Sequence, residues 1–265
     1  MNLMDEVERI KQEGYSEANA EAKLCQDIIV KAISQSSFKR NVTIKGGVVM
    51  RSLSGNARRA TQDLDLDFIK TSISEDSIKL FVEKLNCLDG IHLKIVAPIE
   101  KLKHQDYQGK RVYIQISDDE NNALTLKMDI GVHKDLDIAQ EEYCFDVCFQ
   151  EDSVSILINS KAQMITEKLK SMMRFGIRST RYKDVFDICY LSDAVDMEML
   201  RTCIQKYIFM DKTIDVSDVG EIKKRAERIF FSSTYKNQVE RSKKNWLDLS
   251  VDEVLKKDLE FIREI

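Results

Sequence analysis

Between Thr61 and Phe68 the chain reads Thr-Gln-Asp-Leu-Asp-Leu-Asp-Phe, and no other segment constrains its fold as tightly. Strict alternation is the period of a β-strand, placing Asp63, Asp65 and Asp67 on one face and Leu64, Leu66 and Phe68 on the other. The apolar face requires a core. Neighbouring carboxylates on the acidic face stand about 7 Å apart and repel one another. Two readings fit this face: a solvated surface, or a site for a hard divalent cation, which takes oxygen ligands and bridges carboxylates to phosphates.

The residues just upstream favour the second. Val42-Thr43-Ile44-Lys45 is a β-branched run that ends at Gly46-Gly47, and Val48-Val49-Met50-Arg51-Ser52-Leu53 then opens a helix. Glycine lets backbone approach a ligand closely, and the free N–H groups at a helix start attract phosphate. Taken alone, the Gly pair also reads as an ordinary strand-to-helix turn. A Gly-Gly turn, a basic connection (Arg51, Arg58, Arg59) and a carboxylate strand together form the layout of a nucleotidyl-transfer site.

Lys45-Gly46-Gly47 and Arg59-Ala60-Thr61-Gln62-Asp63-Leu64-Asp65 resemble the AbiEii/AbiGii-type nucleotidyltransferase toxins, a branch of the polymerase-β-like nucleotidyltransferase superfamily. Downstream, Thr166-Glu167-Lys168-Leu169 and Tyr182-Lys183-Asp184-Val185-Phe186-Asp187 resemble that family's Glu-Lys-Leu helix and its Arg/Lys-Asp-aromatic-Asp helix. Two motifs in the right order are more specific than either alone. The resemblance spans roughly residues 40 to 192 and leaves the N-terminal arm and the C-terminal third without family motifs.

Composition suits a globular cytoplasmic enzyme. The 265 residues allow one large domain or two modest ones, with 43% hydrophobic and 32% charged residues. No apolar run approaches membrane-spanning length, so no membrane association is expected, and the first residues do not resemble a signal peptide. The six cysteines form no C-x-x-C pair and lie in apolar stretches, as packed, reduced thiols do. Cys144, Cys148 and His133 have poor spacing for zinc and lack a fourth ligand. A net charge of −4 argues against a protein coated in nucleic acid but leaves room for a local basic groove. Arg174, Arg178, Arg181 and Lys183 form such a cluster, readable either as solvated loop charge or as an RNA contact.

Periodicity predicts helices over 2–13 and 17–35, strand 42–45, helix 47–54, strand 63–69 and a helix over about 74–88. Strands follow at 91–97, 111–117, 123–131 and 143–149. Beyond about 155 the pattern is helical, with segments near 159–175, 181–192, 196–208, 217–231 and 250–263. The expected fold class is α+β: a mixed-sheet nucleotidyltransferase core with an N-terminal helical arm over 1–152, then an α-helical domain over 153–265.

Three further features bear on the site. Asp129 ends the apolar run Ala123–Ile130, where a lone carboxylate needs a partner or caps the strand end. Lys168 lies on the stripe of Met164, Ile165, Leu169, Met172 and Met173, where a lysine either snorkels outward or serves a site. Asp184 and Asp187 share one helical face with Ile188 and Leu191.

The family resemblance implies roles for these residues. Asp63, Asp65 and Asp129 would hold Mg²⁺ (or Mn²⁺), with Asp67 a further ligand or a solvated neighbour. Lys45, Gly46, Gly47, Arg51 and Thr61 would bind the NTP, and Lys168 would meet its phosphates. Asp184 would orient Lys168 or accept a proton, in a cleft between the domains, with Glu167 and Asp187 as accessory candidates. The implied activity is transfer of an NMP to an acceptor such as the 3′ end of tRNA, by a toxin with a cognate antitoxin. A protein or small-molecule hydroxyl as acceptor, or a module that only grips nucleotide or RNA, are the alternatives.

Overall fold

Asn2 caps the first helix, α1 (Leu3–Gln12), by accepting hydrogen bonds from the amides of Met4 and Asp5, and Leu3, Val7 and Ile10 form its buried stripe. Helix α2 (Glu17–Gln35) follows, with Leu24, Ile28, Ile29, Ala32 and Ile33 fully buried as their spacing predicts. A computed structural model describes residues 1–102 and 109–265. They divide into two compact units, Met1–Asn159 and Ser160–Ile265.

In the first unit, β1 (Val42–Lys45) turns at Gly46 into α3 (Gly47–Ser54), and the acidic segment is β2 (Asp63–Ile69). Then come α4 (Glu75–Lys84), β3 (Ile91–Ile95), β4 (Glu100–Lys101), β5 (Lys110–Asp118), β6 (Ala123–His133), β7 (Glu141–Phe145) and β8 (Val154–Ile158). They form one mixed sheet in the order β3-β5-β6-β2-β1-β8-β7, with β4 alongside β5. The β2–β6 and β1–β8 pairs are parallel and the rest antiparallel.

Leu64, Leu66 and Phe68 are fully buried, so the alternation of β2 divides core from site. The Phe68 ring meets Phe81 of α4 edge-on at 5.1 Å. Helix α2 packs against β6 and β8.

Strand β8 corrects the expectation that helix begins near 155, and it carries the sheet past a boundary at 152. Val154-Ser155-Ile156-Leu157-Ile158 pairs in parallel with β1 on one side and with β7 on the other. A short apolar run of this kind has no period that separates it from the start of a helix.

The second unit contains α5 (Lys161–Phe175), α6 (Lys183–Leu191), α7 (Met197–Ile204), α8 (Val219–Phe230), α9 (Ser233–Arg241) and α10 (Val251–Glu264). Reciprocal capping boxes, Ser160 with Gln163 and Ser250 with Glu253, open α5 and α10. Helix α5 packs on α6, α7 and α8, and α10 on α6, α8 and α9.

Helix α9 was not expected, because only Tyr235 and Val239 of its nine residues are buried, too narrow a stripe to show as periodicity. The helix expected over 196–208 ends at Ile204 and continues as a π-turn through Phe209. Cysteine packing also differs from expectation: Cys25, Cys189 and Cys203 are buried, but Cys87 and Cys144 are exposed. Among the described residues no helix is long and apolar enough to cross a membrane.

Candidate active site

Register in the sheet assembles the charged face. Lys45 stands opposite Asp65, Asp65 beside Asp129, and Asp129 opposite Arg111. Residues paired across a sheet project from the same face, so four strands contribute to one row. Asp63 and Asp67 flank Asp65 on β2, and Lys127 stands beside Asp63 on β6.

The Gly-Gly turn touches this row. Gly46 has φ +69 and ψ −139, a conformation that side chains rarely adopt, and a Cβ added there would lie 2.6 Å from Asp65 Oδ2. A Cβ on Gly47 would lie 2.6 Å from Cβ of Thr61. The absence of both side chains lets the Asp65 carboxylate and the Thr61 side chain pack directly against the start of α3. Residues that the sequence separates by a loop thus form one surface, of backbone donors beside a carboxylate.

Protein cations partner the other carboxylates. Lys127 Nζ lies 2.8 Å from Asp63 Oδ1. Arg111 grips Asp129 with two bonds, Nε to Oδ1 at 2.8 Å and Nη2 to Oδ2 at 2.9 Å. The Asp129 hydrogen bond raises the Arg111 guanidinium above its ordinary value, outweighing desolvation. Lys45 Nζ sits 2.8 Å from Asp67 Oδ1 as an ion pair, without the angles of a hydrogen bond, so among the described residues that buried oxygen lacks a hydrogen-bond donor.

The donor chemistry fits a hard divalent cation, since every acid on this face offers carboxylate oxygen and Asp67 retains an unsatisfied one. Among the described residues, no group of three acids, histidines or cysteines is gathered closely enough to hold a metal ion as it stands. Lys127 draws on Asp63, and Arg111 occupies both oxygens of Asp129.

Arg51, expected to bind nucleotide, is instead buried against α2. Its Nη1 donates to Gln26 Oε1 at 2.7 Å and its Nη2 to Asp27 Oδ1 at 2.8 Å. Gln26 Nε2 in turn donates to the backbone carbonyls of Thr61 at 2.9 Å and Asp63 at 3.3 Å. Arg51 and Gln26 therefore brace the entry to the acidic strand from behind. Sequence reasoning missed Gln26, Lys127 and Arg111. The two-residue spacing of Lys127 and Asp129 was readable, but their partners needed the register.

A second cluster lies in the helical unit. Lys168 Nζ on α5 is 3.1 Å from Asp184 Oδ1 and 2.7 Å from Asp187 Oδ2, both on α6. Asp187 is completely buried, and its Oδ1 accepts a hydrogen bond from Trp246 Nε1 at 3.0 Å. Lys168 therefore does not snorkel into solvent; its ammonium is held between two carboxylates. Glu167, next to it, is exposed.

The basic cluster divides. Arg174 turns inward, donating to Thr213 Oγ1 at 2.8 Å and reaching Asp211 at 3.4 Å, while Lys170 pairs with the same Asp211 at 2.6 Å. Burial alone would raise the Asp211 carboxyl, but the bonds from Lys170 and Thr213 hold it at about 2. Lys183 is half-buried, whereas Arg178 and Arg181 are exposed.

A family model described as "Nucleotidyl transferase AbiEii toxin, Type IV TA system" matches residues 27–260. The match extends past the motif-bearing segment into the helices around Trp246. A search of curated proteins gives no match.

Proposed function

The chain belongs to the AbiEii nucleotidyl transferase toxin family of type IV toxin–antitoxin systems, and from that premise we propose that it transfers an NMP from an NTP to the 3′ end of tRNA. The observation that carries this reading is the packing of the Asp65 carboxylate against the Gly46 turn at the head of α3. It sets a metal-ligand type beside phosphate-binding backbone, the pairing that nucleotidyl transfer needs.

In this reading Gly46 and Gly47 present backbone N–H groups to the triphosphate, with Lys45 and Thr61 beside them. Asp63 and Asp65 would hold Mg²⁺ or Mn²⁺, with Asp129 as the third carboxylate. A bound divalent ion supplies Lewis acidity and a template for in-line displacement. The acceptor oxygen bonds to the α-phosphorus, the α–β phosphoanhydride bond breaks, and pyrophosphate leaves with the bonding pair. Lys168 offsets the charge that develops on pyrophosphate. Asp184, 3.1 Å from the Lys168 ammonium, orients it and accepts the acceptor's proton.

Exposed Arg178 and Arg181 support RNA as the acceptor, because phosphate contacts need cations that solvent can reach. Family membership supports a cognate antitoxin as partner.

The test is labelling by each α-³²P NTP, with Mg²⁺, of purified tRNA and of a protein extract. Transfer to tRNA is expected, with loss of at least about a thousandfold in Asp65→Ala. Exchanging Arg178 and Arg181 for Gln should lower tRNA affinity and flatten its salt dependence by about two ions, while sparing NTP binding. Label in protein alone would overturn the tRNA assignment, and full activity in Asp65→Ala would overturn the site.

A further inference from the structure

We propose that Trp246 is a positioning residue for Lys168, acting through Asp187. The inference rests on the nucleotidyl-transfer reading above and extends it into a segment where no motif was seen. Trp246 lies between α9 and α10, 59 residues beyond Asp187, and is the only tryptophan of the chain.

The geometry around Asp187 is a relay. One carboxylate oxygen, Oδ1, takes the indole N–H at 3.0 Å, and the other, Oδ2, takes the Lys168 ammonium at 2.7 Å. The terminal torsion of an aspartate is soft and broad. The indole bond restrains that torsion and helps aim Oδ2 at Lys168.

The donor type also matters. Two carboxylates already share one ammonium. An arginine or lysine at position 246 would compete with Lys168 for Asp187. An indole N–H only donates, carries no charge and does not titrate, so it fixes the carboxylate and leaves Lys168 its counter-ion.

The indole is itself anchored. Trp246 is 2% exposed, and its ring packs against Tyr190, three residues after Asp187 on α6, with centroids 5.2 Å apart. The same helix therefore supplies the carboxylate and the ring that sets the donor. Trp246→Phe keeps an aromatic ring but deletes the N–H together with part of the indole, so the Asp187→Asn background is needed to separate the lost bond from the lost volume.

The experiment is a double-mutant cycle with a spectroscopic arm. Trp246→Phe should lower kcat for labelling by about 10- to 100-fold, with the KM for NTP changed less than about twofold. In an Asp187→Asn background the same exchange should cost little more, because the group through which it acts is gone.

As the sole tryptophan, Trp246 gives one indole resonance in ¹H–¹⁵N spectra of the wild-type protein. That resonance should shift in Lys168→Ala and in Asp187→Asn. Full activity in Trp246→Phe, additivity with Asp187→Asn, or an indole resonance unmoved by both exchanges would each overturn the proposal. If Trp246→Phe does not fold, the resonance in the other two variants decides. If the wild type labels no acceptor, the transferase reading fails, while the indole resonance still accepts or rejects the relay on its own.

Discussion

The acidic sheet face and the Lys168 cluster solve the same electrostatic problem, carboxylates gathered in a fold, by different means. On the sheet Asp63, Asp67 and Asp129 each have their own cation, and the outermost pair stands in water: the side chains of Asp63 and Lys127 are 41% and 31% exposed. In the helical unit two acids share one ammonium, Asp187 is wholly buried, and a neutral N–H also donates to it. Exposed pairs are screened and rearrange cheaply, so Asp63 is suited to exchanging its partner for a ligand. Buried pairs hold one geometry, and breaking one leaves an uncompensated charge in a poor solvent. The Asp63 end of the sheet face is adaptable and the Lys168 cluster pre-organised.

The comparison is tested hardest at Lys168. Replacement by Ala removes the ammonium shared by Asp184 and Asp187, and unfolding free energy should fall by about 3 kcal/mol. If Lys168 serves the departing pyrophosphate as proposed, labelling activity should fall about a hundredfold or more. Urea titration beside the labelling assay reads both. A stability loss below about 1 kcal/mol would place this cluster with ordinary surface pairs, and the contrast would collapse.

The two clusters also differ in how far the sequence reveals them. The sheet face is written in period two: Asp63, Asp65 and Asp67 are separated from Leu64, Leu66 and Phe68 before any tertiary information, and the Gly pair marks the turn. What the sequence does not contain is register. Arg111 meets Asp129, and Lys127 meets Asp63, only because β5, β6 and β2 pair as they do. Lys168 and Asp184 were visible through the family motif. The bond from Trp246 to Asp187 was not, because it depends on how the segment before α10 returns to α6, and one aromatic residue carries no period. Strand β8 escaped because a short, nearly continuous apolar run fits strand and helix alike, and helix α9 because it offers too few apolar residues for its period to repeat.

Asp258 sharpens the buried side of the comparison. It is fully buried on α10, and neither carboxylate oxygen has a hydrogen-bond partner among the described residues. Desolvation raises its pKa well above the ordinary value, with only Lys257 opposing. Its negative form would also face Cys189 of α6 and Tyr235 of α9, groups whose own ionisation it disfavours. An acid with a raised folded pKa contributes stability below its unfolded pKa, near 4, and loses that contribution as pH rises towards the folded value. Asp258→Asn should therefore raise stability by about 1–2 kcal/mol at neutral pH, with the gain vanishing near pH 4. Thermal melts across that range check it. A variant less stable than wild type at pH 7 would mean that Asp258 is held by a bond and belongs with Asp187.

The smallest effect is expected at Lys127, where the exposed side of the comparison meets the proposed chemistry. Its ion pair with Asp63 at 2.8 Å is screened by solvent, so Lys127→Met should change stability by less than about 1 kcal/mol. The functional consequence runs the other way from that at Lys168. Lys127 and a divalent cation would draw on the same Asp63 carboxylate, so removing the ammonium should lower the Mg²⁺ concentration needed for half-maximal labelling. Raising ionic strength should narrow the difference between variant and wild type, because salt weakens the competing pair. Activity titrated against Mg²⁺ at two salt concentrations decides the matter. A raised Mg²⁺ requirement in Lys127→Met would mean that the lysine assists the ion or its phosphate and does not compete with it. The sheet face would then be pre-organised too, and the distinction between the two clusters would reduce to burial alone.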